Sequence, residues 1–147
     1  MQEMTLVQPA SIQQRQSIVQ LLQSLQLPVN DLPDSLDSFV VAEKDGAIIG
    51  VAGLELYGQF GLLRSVAVNP QHRNKQLGKK LVAAIEQKAS SLKLSQLILL
   101  TETAEPYFEK LGYKQLQRND VPGPVKQSSE FSHVCPVSAV VMQKQIQ

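Results

Sequence analysis

The stretch LLRSVAVNPQHRNKQLGKKLV, residues 62–82, changes character twice along its length. It opens as an apolar, β-rich run that Pro70 closes. From Leu77 the apolar positions Leu81, Val82, Ile85, Ala89 and Leu92 follow helical spacing. Around that helix start stand the cations Arg73, Lys75, Lys79 and Lys80. A helix start carries partial positive charge, so each cation there is unfavourable by a few tenths to about 1 kcal/mol. An anion reverses the sign. Strand, short basic loop and helix is also the arrangement in which backbone N–H groups converge on a phosphate. A Lys-rich, solvated helix face is the plain alternative.

Two common phosphate motifs are absent. A P-loop needs glycine five residues before Gly78 and a hydroxyl residue after Lys79, where this chain has Arg73 and Lys80. The dinucleotide fingerprint is missing too, since GVAG and GQFG have the wrong spacing and no following helix.

Outward from this stretch the pattern alternates. TLVQPA reads as a strand, and Ser11 as the cap of a helix through Leu25 with Ile12, Val19, Leu22 and Leu25 on its apolar face. FVVAEKDGAIIGVAGLELYG holds two β-rich runs around Asp45-Gly46, a dipeptide suited to a type I′ hairpin turn. With QFGLLRSVAVN they form an antiparallel meander. SQLILLTE reads as a strand buried on both faces, AEPYFEKLGY as a short helix ended by Gly112, and YKQLQR and SAVVMQKQI as closing strands. DVPGPVKQSSEFSHV is a loop or short helix. The predicted class is α/β, a mixed, mostly antiparallel sheet flanked by helices, in the order β-α-β-β-β-α-β-α-β-β.

Composition narrows the function. The 147 residues predict one domain over 1–147, and 43% apolar with 18% charged residues describes an ordinary globular chain. A net charge of +1 with 5% aromatics argues against a nucleic-acid module. No apolar run reaches the ~20 residues of a membrane span, and the amino terminus lacks the layout of a signal peptide. The single cysteine, Cys135, fits a reducing compartment, so the expected location is cytoplasmic. Cys135 and His133 are too few ligands for a structural zinc site, and no metal is expected. Ser/His/Asp chemistry has no GxSxG elbow to support it.

Residues 62–82 resemble the signature segment of the GNAT superfamily of acyl-CoA-dependent N-acetyltransferases. TETAEPYFEKLGYKQL resembles that family's later strand, helix and YEKLGF segment. The resemblance implies the GNAT fold, acetyl-CoA as cosubstrate, and pantetheine pairing along Val66, Ala67 and Val68. It implies a pyrophosphate loop of Arg73, Asn74, Lys75, Gln76, Leu77, Gly78 and Lys79, with Phe108 also at the coenzyme. A bulge is implied near Val66 to Val68, with a backbone N–H there for the oxyanion.

Two positions depart from the pattern. Gln76 replaces the loop's first glycine; a positive φ there costs about 1–2 kcal/mol, unless Asn74 takes the left-handed position instead. Phe108 replaces the tyrosine that protonates the leaving thiolate in many members. Tyr107, turned about 100° away, cannot substitute and reads as a packing residue. An alkyl thiolate, from a thiol of pKa near ~8.5, leaves without much help.

Direct transfer needs a base for the acceptor ammonium. Glu55, in the strand beside the coenzyme strand, is the leading candidate, with an exposed strand charge as the plain reading; Glu102 and Glu105 are weaker. The carboxy-terminal stretch LQRNDVPGPVKQSSEFSHVCPVSAVVMQK resembles the amino-acid N-acetyltransferase branch, especially proteins associated with bacterial arsenic-resistance operons. That implies a small amino-acid-like substrate or toxic mimic. Arg64 and Arg118 are the candidate anchors for its carboxylate. A catalytically impaired acyl-CoA-binding or regulatory protein, and a peptide or protein N-acetyltransferase, are the competing readings. Exposed strand edges permit a homodimer.

Overall fold

The computed structural model describes residues 6–27, 29, 32, 36, 38–71, 76–101, 104–126 and 139–146. Its elements are β1 (Leu6–Pro9), α1 (Arg15–Ser24), β2 (Phe39–Lys44), β3 (Ala47–Tyr57), β4 (Phe60–Val68), α2 (Leu77–Ser91), β5 (Gln96–Thr101), α3 (Glu105–Lys110), β6 (Lys114–Gln115), α4 (Gly123–Lys126) and β7 (Val140–Gln145). The predicted order holds, with the one-turn α4 inserted before the last strand. The seven strands form one sheet in the order β1-β2-β3-β4-β5-β7-β6.

Packing divides the chain into two compact units, Met1–Leu54 with Ser65–Lys88, and Glu55–Arg64 with Ala89–Gln147. In the first, β1 and β3 flank β2, both antiparallel to it. Asp45 (φ 54°) and Gly46 (φ 81°) are both left-handed, as a type I′ turn demands. Ile18, Leu21 and Leu22 of α1 pack on Phe39, Val41, Val51 and Ala67. The helix starts later than the spacing implied. Residues Ile12–Gln14 form a 3₁₀ turn in which the Ser11 N–H donates to Gln14 Oε1 at 2.9 Å. That tighter turn shifts the phase of the apolar face, and Ile12 ends 85% exposed. Glycine lets the strands and helix close up: a Cβ on Gly50 would stand 2.9 Å from Leu81 Cδ1 of α2, and one on Gly53 would stand 2.5 Å from the Phe39 ring.

In the second unit, β5 pairs parallel with Phe60–Leu62 of β4 and antiparallel with β7 along its whole length. Leu62, Ile98, Val121, Val125 and Val141 make its core. Gly112 (φ 98°) ends α3: its N–H donates to Glu109 O at 3.1 Å, and the Tyr113 N–H donates to Phe108 O at 3.1 Å.

The other two long helices close the same way without glycine. Beyond α1, Gln26 (φ 61°) donates to Gln23 O and Leu27 to Leu22 O; beyond α2, Lys93 (φ 61°) donates to Ser90 O and Leu94 to Ala89 O. This end leaves Leu92 outside the helix and 45% exposed, not on its apolar stripe. Relief of about 1–2 kcal/mol at Lys93, offset by glycine's greater freedom when unfolded, should make Lys93→Gly more stable by about 0.5–1 kcal/mol. A denaturant titration with an unchanged m-value checks this.

Candidate active site

Residues 65–68 of β4 and the start of α2, which the sequence marks as the coenzyme cradle, both lie in the first unit. Ser65 (φ 58°) is left-handed in the interior of β4, so the irregularity expected near Val66–Val68 is centred just before them. Beyond it Val66 and Val68 are half-buried and Ala67 is in the core. The Asn69 N–H then donates to Ile49 O at 2.8 Å and keeps the end of the strand on β3.

Arg73, Asn74 and Lys75, like His72, lie outside the described residues. Gln76 does adopt a positive φ, 58°, the costly alternative of the two the sequence offers. Its carbonyl accepts the first bond of α2, from the Lys80 N–H at 3.2 Å. The N–H groups of Leu77, Gly78 and Lys79 therefore precede the intrahelical ladder. Leu77, 1% exposed, fixes this end in the core while Lys79 and Lys80 project into solvent. No acidic residue occupies the first turn to neutralise them. Oriented amides, a helix dipole and two exposed ammonium groups suit a pyrophosphate. Gln76→Gly should raise stability by about 0.5–1 kcal/mol and keep or tighten acetyl-CoA binding, as read by thermal unfolding and calorimetry.

A charged cluster lies in the second unit. Glu55 and Tyr57, two apart on β3, share a face. The Tyr57 hydroxyl donates to Glu55 Oε1 at 2.8 Å, and Arg64 Nη1 of β4 donates to Oε2 at 3.2 Å. Glu55 is thus not an exposed strand charge: its side chain is 14% accessible. The Arg64 side chain is fully inaccessible. The expected anchor Arg64 is thus placed beside the expected base, as a partner of Glu55. Arg118 is half-buried in a 3₁₀ turn, where its Nη2 donates to Ala139 O at 3.0 Å. Tyr57 escaped the sequence reading. The Glu-x-Tyr spacing ahead of a two-residue turn and an arginine on the returning strand was the available signal.

On α3, Phe108 is 7% exposed and meets Tyr113 edge-on, with ring centroids 5.7 Å apart. Tyr107 is the more exposed of the pair, at 40%, and meets Phe108 in a T-shaped contact with ring centroids 5.3 Å apart. Partial burial still raises the Tyr107 phenol pKa above its ordinary value, so it stays protonated at neutral pH. Glu105 opens α3, whereas Glu102, His133 and Cys135 lie outside the described residues. Among the described residues no three His, Cys, Asp or Glu side chains gather as a metal site. No helix among them is long and apolar enough to cross a membrane.

Residues 35–115 match the family model for the acetyltransferase (GNAT) domain. The chain belongs to this family, whose chemistry is acetyl transfer from acetyl-CoA. An amino-acid acetyltransferase of Aeromonas salmonicida is 33% identical over 89 residues, 59% of this chain and 20% of that protein. One from Pasteurella multocida is 28% identical over 98 residues, 65% of this chain and 22% of that one. The chain thus spans about a fifth of the length of these curated relatives. In fold it is similar to N-acetylglutamate synthase from Neisseria gonorrhoeae, solved with coenzyme A and N-acetyl-glutamate. The TM-score is 0.85 at 18% identity, covering 100% of this chain and 36% of that one. A GNAT-family acetyltransferase of Staphylococcus aureus gives 0.79 at 17% identity, covering 98% and 100%.

Proposed function

We propose that the chain, acting as one domain over 1–147, acetylates the amino group of a small amino-acid-like molecule by direct attack on acetyl-CoA in a ternary complex. The start of α2 carries the reading: a left-handed Gln76 ahead of unladdered amides, with Lys79 and Lys80 exposed beside them. Gln76, Leu77, Gly78 and Lys79, with Arg73, Asn74 and Lys75 before them, hold the pyrophosphate. Val66, Ala67 and Val68 lie along the pantetheine arm and supply a backbone N–H to the oxyanion. Glu55 takes a proton from the acceptor ammonium, and the neutral amine forms the amide as the thiolate departs. Phe108 offers that thiolate no proton; a thiol of pKa near ~8.5 needs little.

The acceptor class rests on the amino-acid acetyltransferases among the relatives. Arg64 and Arg118 are the proposed anchors for its carboxylate. A toxic amino-acid mimic, as handled by the arsenic-resistance proteins the sequence resembles, belongs to the same class. The setting is cytoplasmic, without nucleic acid or membrane, and a homodimer would form at a strand edge.

Calorimetric titration with acetyl-CoA, beside acetyl-pantetheine as the phosphate-free control, tests the reading. Binding of the first and loss of the second is the expected result, weakened by Lys79→Ala. Equal binding of both would remove the pyrophosphate role. Acetyl-CoA binding with no amino acid acetylated would leave an acyl-CoA-binding protein.

A further inference from the structure

We infer that Tyr57 and Arg64 are positioning residues for Glu55, fixing one carboxylate orientation in which it receives the acceptor's proton. The inference rests on the assignment of Glu55 as the base. Each carboxylate oxygen already has one directed donor, Tyr57 Oη at 2.8 Å and Arg64 Nη1 at 3.2 Å. An ionised carboxylate offers about four lone-pair sites, so two remain for an incoming N–H.

What distinguishes the cluster from a surface ion pair is where its members end. The Tyr57 ring packs against the core of Leu62, Ile98, Val121, Val125 and Val141, which locates its hydroxyl. The Arg64 side chain is wholly inaccessible, whereas Glu55 keeps 14% of its side-chain surface. The Arg64 donor is buried, the Tyr57 ring is half-buried on that core, and the Glu55 carboxylate keeps a partly accessible surface. A carboxylate tied at both oxygens loses rotamer freedom while its remaining lone pairs can still accept, as proton abstraction in one fixed geometry requires. The proton leaves the acceptor's nitrogen, resides on Glu55 as the carboxylic acid and passes to water, so the residue ends as it began.

A buried arginine also needs a counter-charge for folding alone, so the test must read more than stability. Acetyl transfer is measured with acetyl-CoA and the most active of the twenty common amino acids, for wild type, Tyr57→Phe, Glu55→Gln and the double variant. Tyr57→Phe is expected to lower kcat roughly 10-fold, with KM and the acetyl-CoA Kd unchanged. In the Glu55→Gln background it should have no further effect, because it acts only through the carboxylate. Arg64→Lys, which keeps the charge but not the planar fork, should lower kcat less than Arg64→Met. Additive losses, or an unaltered kcat in Tyr57→Phe beside an impaired Glu55→Gln, overturn the positioning role alone. A wild-type rate in Glu55→Gln overturns the base assignment beneath it, and no turnover with any amino acid overturns both.

Discussion

Glu55→Gln is expected to lower kcat for amino-acid acetylation by about 10²–10⁴-fold, with acetyl-CoA affinity unchanged. That range, equal to about 3–5 kcal/mol of barrier, is what a positioned base supplies. The amide keeps the shape of the carboxylate and most of its bonding. Its oxygen can still accept from Arg64, and the Tyr57 hydroxyl can turn to accept from its NH₂. What it loses is the basic lone pair and the charge opposite the fully inaccessible Arg64 side chain. Some stability goes with that charge, so folding is followed by thermal unfolding in parallel. The start of α2 holds the coenzyme in this reading and is untouched by the substitution. A rate within threefold of wild type would remove Glu55 from the mechanism.

The second large effect is structural. Phe39, 1% exposed, lies over Gly53, where an added Cβ would stand 2.5 Å from its ring. Phe39→Ala should remove about 3–5 kcal/mol, a large part of the 5–15 typical of a domain, by opening a cavity beneath α1. Gly53→Ala at the opposite face of the same contact should cost about 1–3 kcal/mol by overpacking. Because one space is emptied and then partly refilled, the double variant is expected to lose less than the sum. Urea unfolding of all four proteins reads this directly. Simple additivity would mean that the ring does not depend on the missing Cβ.

The same contrast explains what the residues revealed in advance. Asp45-Gly46 and Gly112 were legible because their side chains announce a left-handed backbone. Gln26, Lys93 and Ser65 adopt the same conformation without any such mark, the first two where a helix closes and the third inside β4. Ile12 was misplaced because a 3₁₀ turn breaks the 3.6-residue phase on which its assignment relied. In the candidate site, the basic helix start was visible as local composition. The tie of Arg64 to Glu55 was not, because it joins different strands and depends on register. Tyr57, which nothing in the local sequence singles out, gains meaning only from that tie.

The order β5-β7-β6 has a consequence for how the chain is made. During synthesis β5 and β6 leave the ribosome before β7, yet neither pairs with the other. Both wait with an open edge until the last strand threads between them and bonds to each. An interrupted chain therefore exposes two sticky margins at once, one of them the apolar run Leu97–Leu100. Nascent chains stalled before Val140 should be strong clients for chaperones that bind extended apolar segments. Emergence of β7, rather than completion of the larger part of the sheet, is then the event that closes both margins at once.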